Sequence, residues 1–350
     1  MTTFWTVIAA ALVFCILIFV HELGHFILAK ALGIRVHEFA IGMGPKLFSK
    51  QKGDTLYSVR LLPVGGFCAL EGEDSASEDE KALSNKPAWV KLIALAAGSF
   101  INLLLGLLLL FWLYGTAQGM LIPQVKTVEE GSAAATIGLR PGDEIVKLGG
   151  RRIHIASDLY WAKSKLNANE PTEICVRRGA EKLTLSITPE MQQSAMSSGT
   201  QLSLGIQLAE AKNNFFMTIK TGFYSTVFYA RVVLETLVDL LRGRVAVSSM
   251  SGPIGIVSES GSAVKETAQT GWEGFLNLLQ LTVLLTIDLG VFNLLPIPAL
   301  DGGRIFFVLV EVIRRKPLPP EKEGMVHMIG FALLILLSLF VAYMDVLRLL

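Results

Sequence analysis

Four stretches of this chain are long and apolar enough to cross a bilayer. A segment inside lipid must satisfy its own backbone hydrogen bonds, so each has little choice but to be a helix. They run from Phe4 to about Leu32, from Trp89 to about Ala117, from Gly274 to about Leu295, and from Met325 to Leu347. The 350 residues are 52% hydrophobic and only 17% charged, which excludes an ordinary soluble globule and predicts a polytopic α-helical membrane protein. A net charge of +1 offers no electrostatic footprint for nucleic acid. Cys15, Cys68 and Cys175 are too scattered for a disulfide framework and read as packing residues. No basic n-region opens the chain and no small-x-small cleavage site follows the first apolar run, so that run reads as a retained span.

The first span breaks its own composition at Val20-His21-Glu22-Leu23-Gly24-His25-Phe26. A charge at the centre of a membrane helix costs roughly 2.5–3.5 kcal/mol on insertion scales, so three ionisable residues there point to function. The pattern is HExxH. Residues four apart share a helix face, so His21 and His25 can offer two imidazoles to one zinc ion, and Glu22 can take a proton from a water at that ion. The third span ends in Asn293-Leu294-Leu295-Pro296-Ile297-Pro298-Ala299-Leu300-Asp301-Gly302-Gly303-Arg304, where two prolines and a glycine pair break the helix. Irregular backbone at membrane depth is tolerated only where it lines a cavity or is buried in protein. His21 lies about 25 Å along the helix from Phe4, near the far side of a hydrocarbon core of roughly 30 Å, and Asp301 emerges on that same side. Asp301 is therefore the expected third ligand, leaving the fourth position for water. Asp288 lies about 20 Å of helix earlier and reads as a polar residue hydrogen-bonded inside the bundle. His37, His154 and His327 read as surface or packing histidines.

Flanking charge orients the spans. No Lys or Arg precedes the first, whereas Lys30, Arg35, Lys46, Lys50, Lys52, Arg60, Lys81 and Lys86 lie between the first and second. That loop is expected in the cytosol, with both termini and the region from Gln118 to Thr270 outside. Within the loop, 54–63 has strand composition and Gly65-Gly66 reads as a turn, together a β hairpin near the site able to pair with an extended peptide. Gly98, Asn102 and Gly106, spaced by four on the second span, let helices approach closely. Residues 213–242 carry one apolar helical stripe, but Lys220, Arg231, Glu235 and Asp239 interrupt it, which favours an interfacial amphipathic helix over a fifth span. The expected organisation is a first membrane half over 1–117 with a cytosolic β loop near 36–70, an external α+β domain over 118–210, amphipathic connectors over 211–270 and a second membrane half over 271–350.

The external domain contains Gly138-Leu139-Arg140-Pro141-Gly142-Asp143-Glu144-Ile145 followed by Gly149-Gly150, and resembles a bacterial, circularly permuted PDZ domain in a single copy. Together with HELGH, the GPKLFS and VGGF segments and NLLPIPALDGG, it makes nearly the whole chain resemble the site-2 protease family of intramembrane zinc metalloproteases. Within that family it is similar to the bacterial regulator of sigma-E protease group. That resemblance implies one Zn2+ held by His21, His25 and Asp301, with Glu22 as general base. It further implies substrate contacts at Asn293 and along the strand Tyr57, Ser58, Val59, Arg60 and Leu61, and a peptide-carboxylate loop at Leu204, Gly205 and Ile206. The implied substrates are single-pass membrane proteins already trimmed outside, cleaved in the bacterial cytoplasmic membrane near its cytosolic face. Departures from the family pattern are Ala97-Gly98-Ser99 where many members have Gly-Pro, and Asp288 where a neutral polar residue is expected. A zinc transporter would need a polar path across the bilayer, whereas the ionisable residues here cluster at one depth. A catalytically silent scaffold recruiting partners through the PDZ-like domain would have no use for Glu22.

Overall fold

The computed structural model describes residues 2–73, 77–193, 200–245, 252–316, 318 and 320–349. In chain order the elements are α1 (Thr2–Ala31), β1 (Val36–Lys52), β2 (Thr55–Leu70), α2 (Ala88–Gly115), β3 (Gly119–Val128), α3 (Ala133–Thr136), β4 (Glu144–Leu148), β5 (Arg151–Arg152), α4 (Ala156–Ser164), β6 (Thr172–Arg178), β7 (Glu181–Ile187), β8 (Glu190–Gln193), β9 (Thr200–Ser203), β10 (Ile206–Lys212), α5 (Phe215–Leu241), α6 (Pro253–Thr270), α7 (Trp272–Asn293), α8 (Asp301–Arg314) and α9 (Pro320–Leu349). They form two compact units, one of Met1–Leu109 with Tyr229–Leu350 and one of Leu110–Phe228. Among the described residues, four helical stretches are long and apolar enough to span a membrane: Ala11–Ala31, Ala88–Gly115, Trp272–Asn293 and Lys322–Leu347. These are the four stretches the sequence predicts. The helix α5, with its four charged residues, is not among them.

In the first unit, α1 stops because Gly33 adopts a left-handed φ of +69°. Gly33 N donates to Lys30 O at 3.3 Å and Ile34 N to Ala29 O at 2.8 Å, the paired bonds of a Schellman cap. Ile34 then joins a core with Val36, Phe39, Leu70, Leu83, Leu95 and Val308, which ties the first helix, the strands, α2 and α8 together. Small residues bring the spans close. A Cβ on Gly24 would lie 2.7 Å from Ala97 O, and one on Gly290 would lie 3.0 Å from Ser99 O.

The strands β1 and β2 pair antiparallel, and both are long enough to bend. As a result the first half of β1 has neighbours on two sides: Phe39 faces Cys68 on one and Tyr57 on the other. The hairpin turns at Gly53-Asp54. Gly65-Gly66, expected as a turn, lies inside β2 instead. Gly65 has φ +79°, and a Cβ on Gly66 would stand 2.8 Å from Ala40 O. The glycine pair therefore serves close strand approach, not chain reversal.

The second unit is built on an antiparallel sheet of order β10-β3-β4-β6-β7, with β5 paired to β4 and β8 paired separately to β9. Alternate residues turn inward, so Val125, Ile145, Leu148, Ile174, Val176 and Ile187 form its core. The Pro-Gly-Asp turn is closed by buried Asp143, which accepts from Arg178 Nε at 2.8 Å, Arg178 Nη2 at 2.7 Å and Arg140 N at 2.9 Å. The Arg178 hydrogen bonds hold the Asp143 carboxyl below the usual carboxylate range.

Candidate metal centre

His21 and His25 lie one turn apart on α1 and are both buried. Their rings meet edge-on with centroids 4.9 Å apart, and their Nε2 atoms are 3.3 Å from each other. Asp301 reaches them from the first turn of α8, its Oδ2 lying 3.1 Å from His21 Nε2 and 3.2 Å from His25 Nε2. Among the described residues, this is the one group of three such side chains able to share an ion. Around a tetrahedral zinc with ligand bonds of about 2.0–2.1 Å, neighbouring ligand atoms stand about 3.3 Å apart, and the observed triangle has edges of that length.

Proton placement supports the same fit. His25 Nδ1 lies 2.9 Å from the Ala94 carbonyl oxygen, which can only accept, so Nδ1 carries the ring proton and Nε2 presents a lone pair. His21 Nδ1 lies 3.3 Å from the side-chain nitrogen of Asn102, while Asn102 Oδ1 is buried without a partner. Exchanging the amide's oxygen and nitrogen lets Oδ1 accept from His21 Nδ1–H and leaves His21 Nε2 bare. Two lone pairs and a carboxylate oxygen then converge, an arrangement that calls for a cation.

Both supports come from one face of α2. Ala94, Gly98 and Asn102 succeed each other by four residues, and Gly98 sits opposite the two rings. The sequence marks Gly98 and Asn102 as small or polar residues for close packing, but not as partners of the imidazoles. We expect Asn102→Ala to weaken zinc binding about 10–100-fold, as loss of an outer partner of a ligating histidine generally does. Competition against a chromogenic chelator measures this. Unchanged affinity would remove Asn102 from the site.

Glu22 is half-buried and turned toward β2, where a Cβ on Gly66 would lie 3.7 Å from Glu22 Cγ. The nearby edge differs from the sequence expectation. Tyr57, Ser58 and Val59 have β1 residues on both sides, Tyr57 pairing with Phe39 and Lys50 and Val59 with Ile41 and Phe48. They are interior to the sheet, because β1 folds around them. Ser58 Oγ donates to Glu38 Oε1 at 2.6 Å, Arg60 Nη2 to the same atom at 2.8 Å, and Leu61 is exposed. Among the described residues, the stretch Gly66–Leu70 pairs with β1 on one side only.

Asn293 closes α7, half-buried. Asp288 Oδ1 is buried and finds no hydrogen-bond partner among the described residues, where the sequence predicted a bonded polar group. In the second unit, Leu204 and Ile206 line a cavity of about 260 Å³ with Leu159, Tyr160 and Lys163. Gly205 between them has φ +73° and accepts from Glu129 N at 2.9 Å. His37 pairs with Glu71, and His154 stacks on Tyr224 with centroids 4.2 Å apart. His327 is different: its Nδ1 accepts from Ala299 N beside Asp301.

Residues 9–337 match the sequence model of peptidase family M50. A zinc metalloprotease homologue of Clostridium perfringens is 38% identical over 97% of this chain and 98% of its own. The regulator of sigma-W protease RasP of Bacillus subtilis is 32% identical over 98% of this chain and 99% of its own. A homologue of Fusobacterium nucleatum, also named for zinc metalloprotease activity, is 35% identical over 98% of this chain and 99% of its own. A metal-ready triangle between apolar helices and a family match along nearly the whole chain lead to one conclusion: the chain belongs to peptidase family M50 and is an intramembrane zinc metalloprotease of the site-2 protease type.

Proposed function

We propose that His21, His25 and Asp301 hold the zinc ion and that Glu22 is the general base for hydrolysis of a peptide bond in the membrane helix of a single-pass protein. The observation that carries this reading is the triangle of two Nε2 atoms and one Oδ2 with edges of 3.1–3.3 Å. Zinc bound there supplies Lewis acidity to the scissile carbonyl and the attacking water. The Glu22 carboxylate accepts the water proton and delivers it to the leaving amide nitrogen. Asn293 and the irregular backbone after it engage the substrate chain.

A helical substrate must unwind first, because its carbonyls are hydrogen-bonded and shielded by side chains. An added β pairing compensates for the helix bonds given up. Gly66–Leu70, beside Glu22 and paired on one side, suits that role better than Tyr57–Leu61, which then supports it from within the sheet. Flanking charge puts the strands and the metal centre toward the cytosol in a bacterial cytoplasmic membrane. The region Gln124–Leu208 we read as an extracytoplasmic PDZ-like domain. Its cavity, lined by Leu204 and Ile206, offers a place for a peptide C-terminus, and its bulk disfavours substrates whose outer parts are untrimmed. Candidate substrates are an anti-sigma factor or a remnant signal peptide.

The test is cleavage of a single-pass membrane substrate by purified, zinc-loaded protein in detergent, with and without a chelator. Cleavage stopped by the chelator and restored by zinc is expected. A zinc-loaded protein that cleaves none of a panel of such substrates would leave the scaffold reading.

A further inference from the structure

Asp301 reaches the triangle only because the chain between α7 and α8 follows an irregular path. Short-range bonds shape it: Ile297 N donates to Leu295 O at 2.7 Å, Leu300 N to Ile297 O at 3.2 Å, and Gly303 N to Leu300 O at 3.0 Å. Ala299, two residues before Asp301, has φ +79°, a left-handed conformation that its Cβ disfavours. Backbone of this kind persists only when its surroundings impose it.

The imposing element is α9. Ala299 N–H donates to His327 Nδ1 at 2.9 Å. Three residues on, Gly330 passes so near Pro298 that a Cβ would lie 2.4 Å from Pro298 Cβ and 2.7 Å from Pro298 O. The His327 ring also meets Phe307 of α8, centroids 5.5 Å apart at 65°. Because Nδ1 accepts, the ring proton belongs on Nε2, which faces Glu323 Oε1 at 3.8 Å one turn earlier on α9. The Ala299 N–H itself selects that tautomer, since only a bare Nδ1 can accept it.

We infer that His327 is a positioning residue for the metal centre, holding Ala299 in its left-handed conformation and so setting Asp301 Oδ2 against the two imidazoles. The inference rests on Asp301 being a zinc ligand. It is specific to one atom: what matters is an acceptor at the place of Nδ1. Asparagine carries its side-chain oxygen at about that distance from the backbone, glutamine carries it one bond farther, and leucine has none.

The experiment compares His327→Asn, His327→Gln and His327→Leu in the full chain in detergent, reading zinc affinity by chelator competition alongside kcat and KM. Expected is zinc affinity about 10–100-fold weaker for Leu and Gln, with kcat falling while KM holds, and a value near wild type for Asn. Wild-type affinity in the Leu variant, or equal losses in Asn and Gln, would overturn the inference. Should the Leu variant fail to fold, the Asn and Gln pair decides alone: recovery in Asn only supports the tie, and equality refutes it. Asp301→Asn separates the two levels. If it keeps full zinc affinity, the ligand set is wrong. If it loses zinc while the His327 variants do not, only the role of His327 falls.

Discussion

Glu22→Gln is expected to reduce turnover by about 10²–10⁴-fold, the range attributable to a positioned general base, while zinc content stays at that of wild type. Glutamine has the shape of glutamate but cannot take a proton from water. Glu22 is not one of the three atoms in the triangle, so its loss leaves the ligand set complete. Metal analysis and a substrate-cleavage time course on the same preparation give both numbers. Turnover near wild type in a zinc-replete Gln variant would transfer the proton to another group. Loss of zinc along with activity would instead make Glu22 part of the site's structure.

The second large effect concerns a residue without a side chain. A Cβ placed on Gly98 would lie 2.4 Å from His25 Nε2 and 2.7 Å from His21 Nε2, distances that real carbons do not tolerate. Something must shift, and the neighbours it would displace are the two ligand atoms. A metal site tolerates errors of only about 0.2 Å in ligand distances, so Gly98→Ala should cost zinc affinity beyond the 10–100-fold of an outer-partner loss. Gly106→Ala is the matched control. There the new Cβ would press on Ile287 Cγ1 at 2.6 Å, overpacking the contact with α7 at a cost of about 1–3 kcal/mol in stability without touching the rings. Zinc affinity should separate the two variants, and thermal stability should not. Equal zinc loss in both would mean that helix spacing, not direct displacement of the imidazoles, governs the site.

The position of Gly98 also bears on a departure from the family pattern. Ala97-Gly98-Ser99 stands where the resemblance read from the sequence leads one to expect Gly-Pro. The backbone of Ala97 receives Gly24 of α1, and that of Ser99 receives Gly290 of α7. These three residues thus lie where the histidine-bearing helix and the helix before Asp301 both meet α2. The departure falls at the junction of the site's three carriers, and Gly98 at its centre faces the imidazoles.

By itself the sequence determined the features that local rules dictate. Lipid admits helices and little else, so four apolar stretches became four helices long and apolar enough to span a membrane. A period of 3.6 residues puts His21 and His25 on one face wherever the helix sits. Bilayer thickness put Asp301 at their depth, so a contact between residues 276 positions apart was legible without coordinates. The tertiary structure decided which surfaces meet. No periodicity tells that Ala94 will lend its carbonyl to His25, or that Asn102 will serve His21 instead of merely packing. Gly65-Gly66 has the composition of a turn, yet lies in a strand because close approach to Ala40 also requires glycine. Tyr57–Val59 looks like an edge until β1 bends to cover its second side. His327 reads as a packing residue until α9 is seen to lie against the turn before Asp301. Each of these depends on the relative placement of distant elements, which packing and hydrogen bonding settle only once the whole chain has folded.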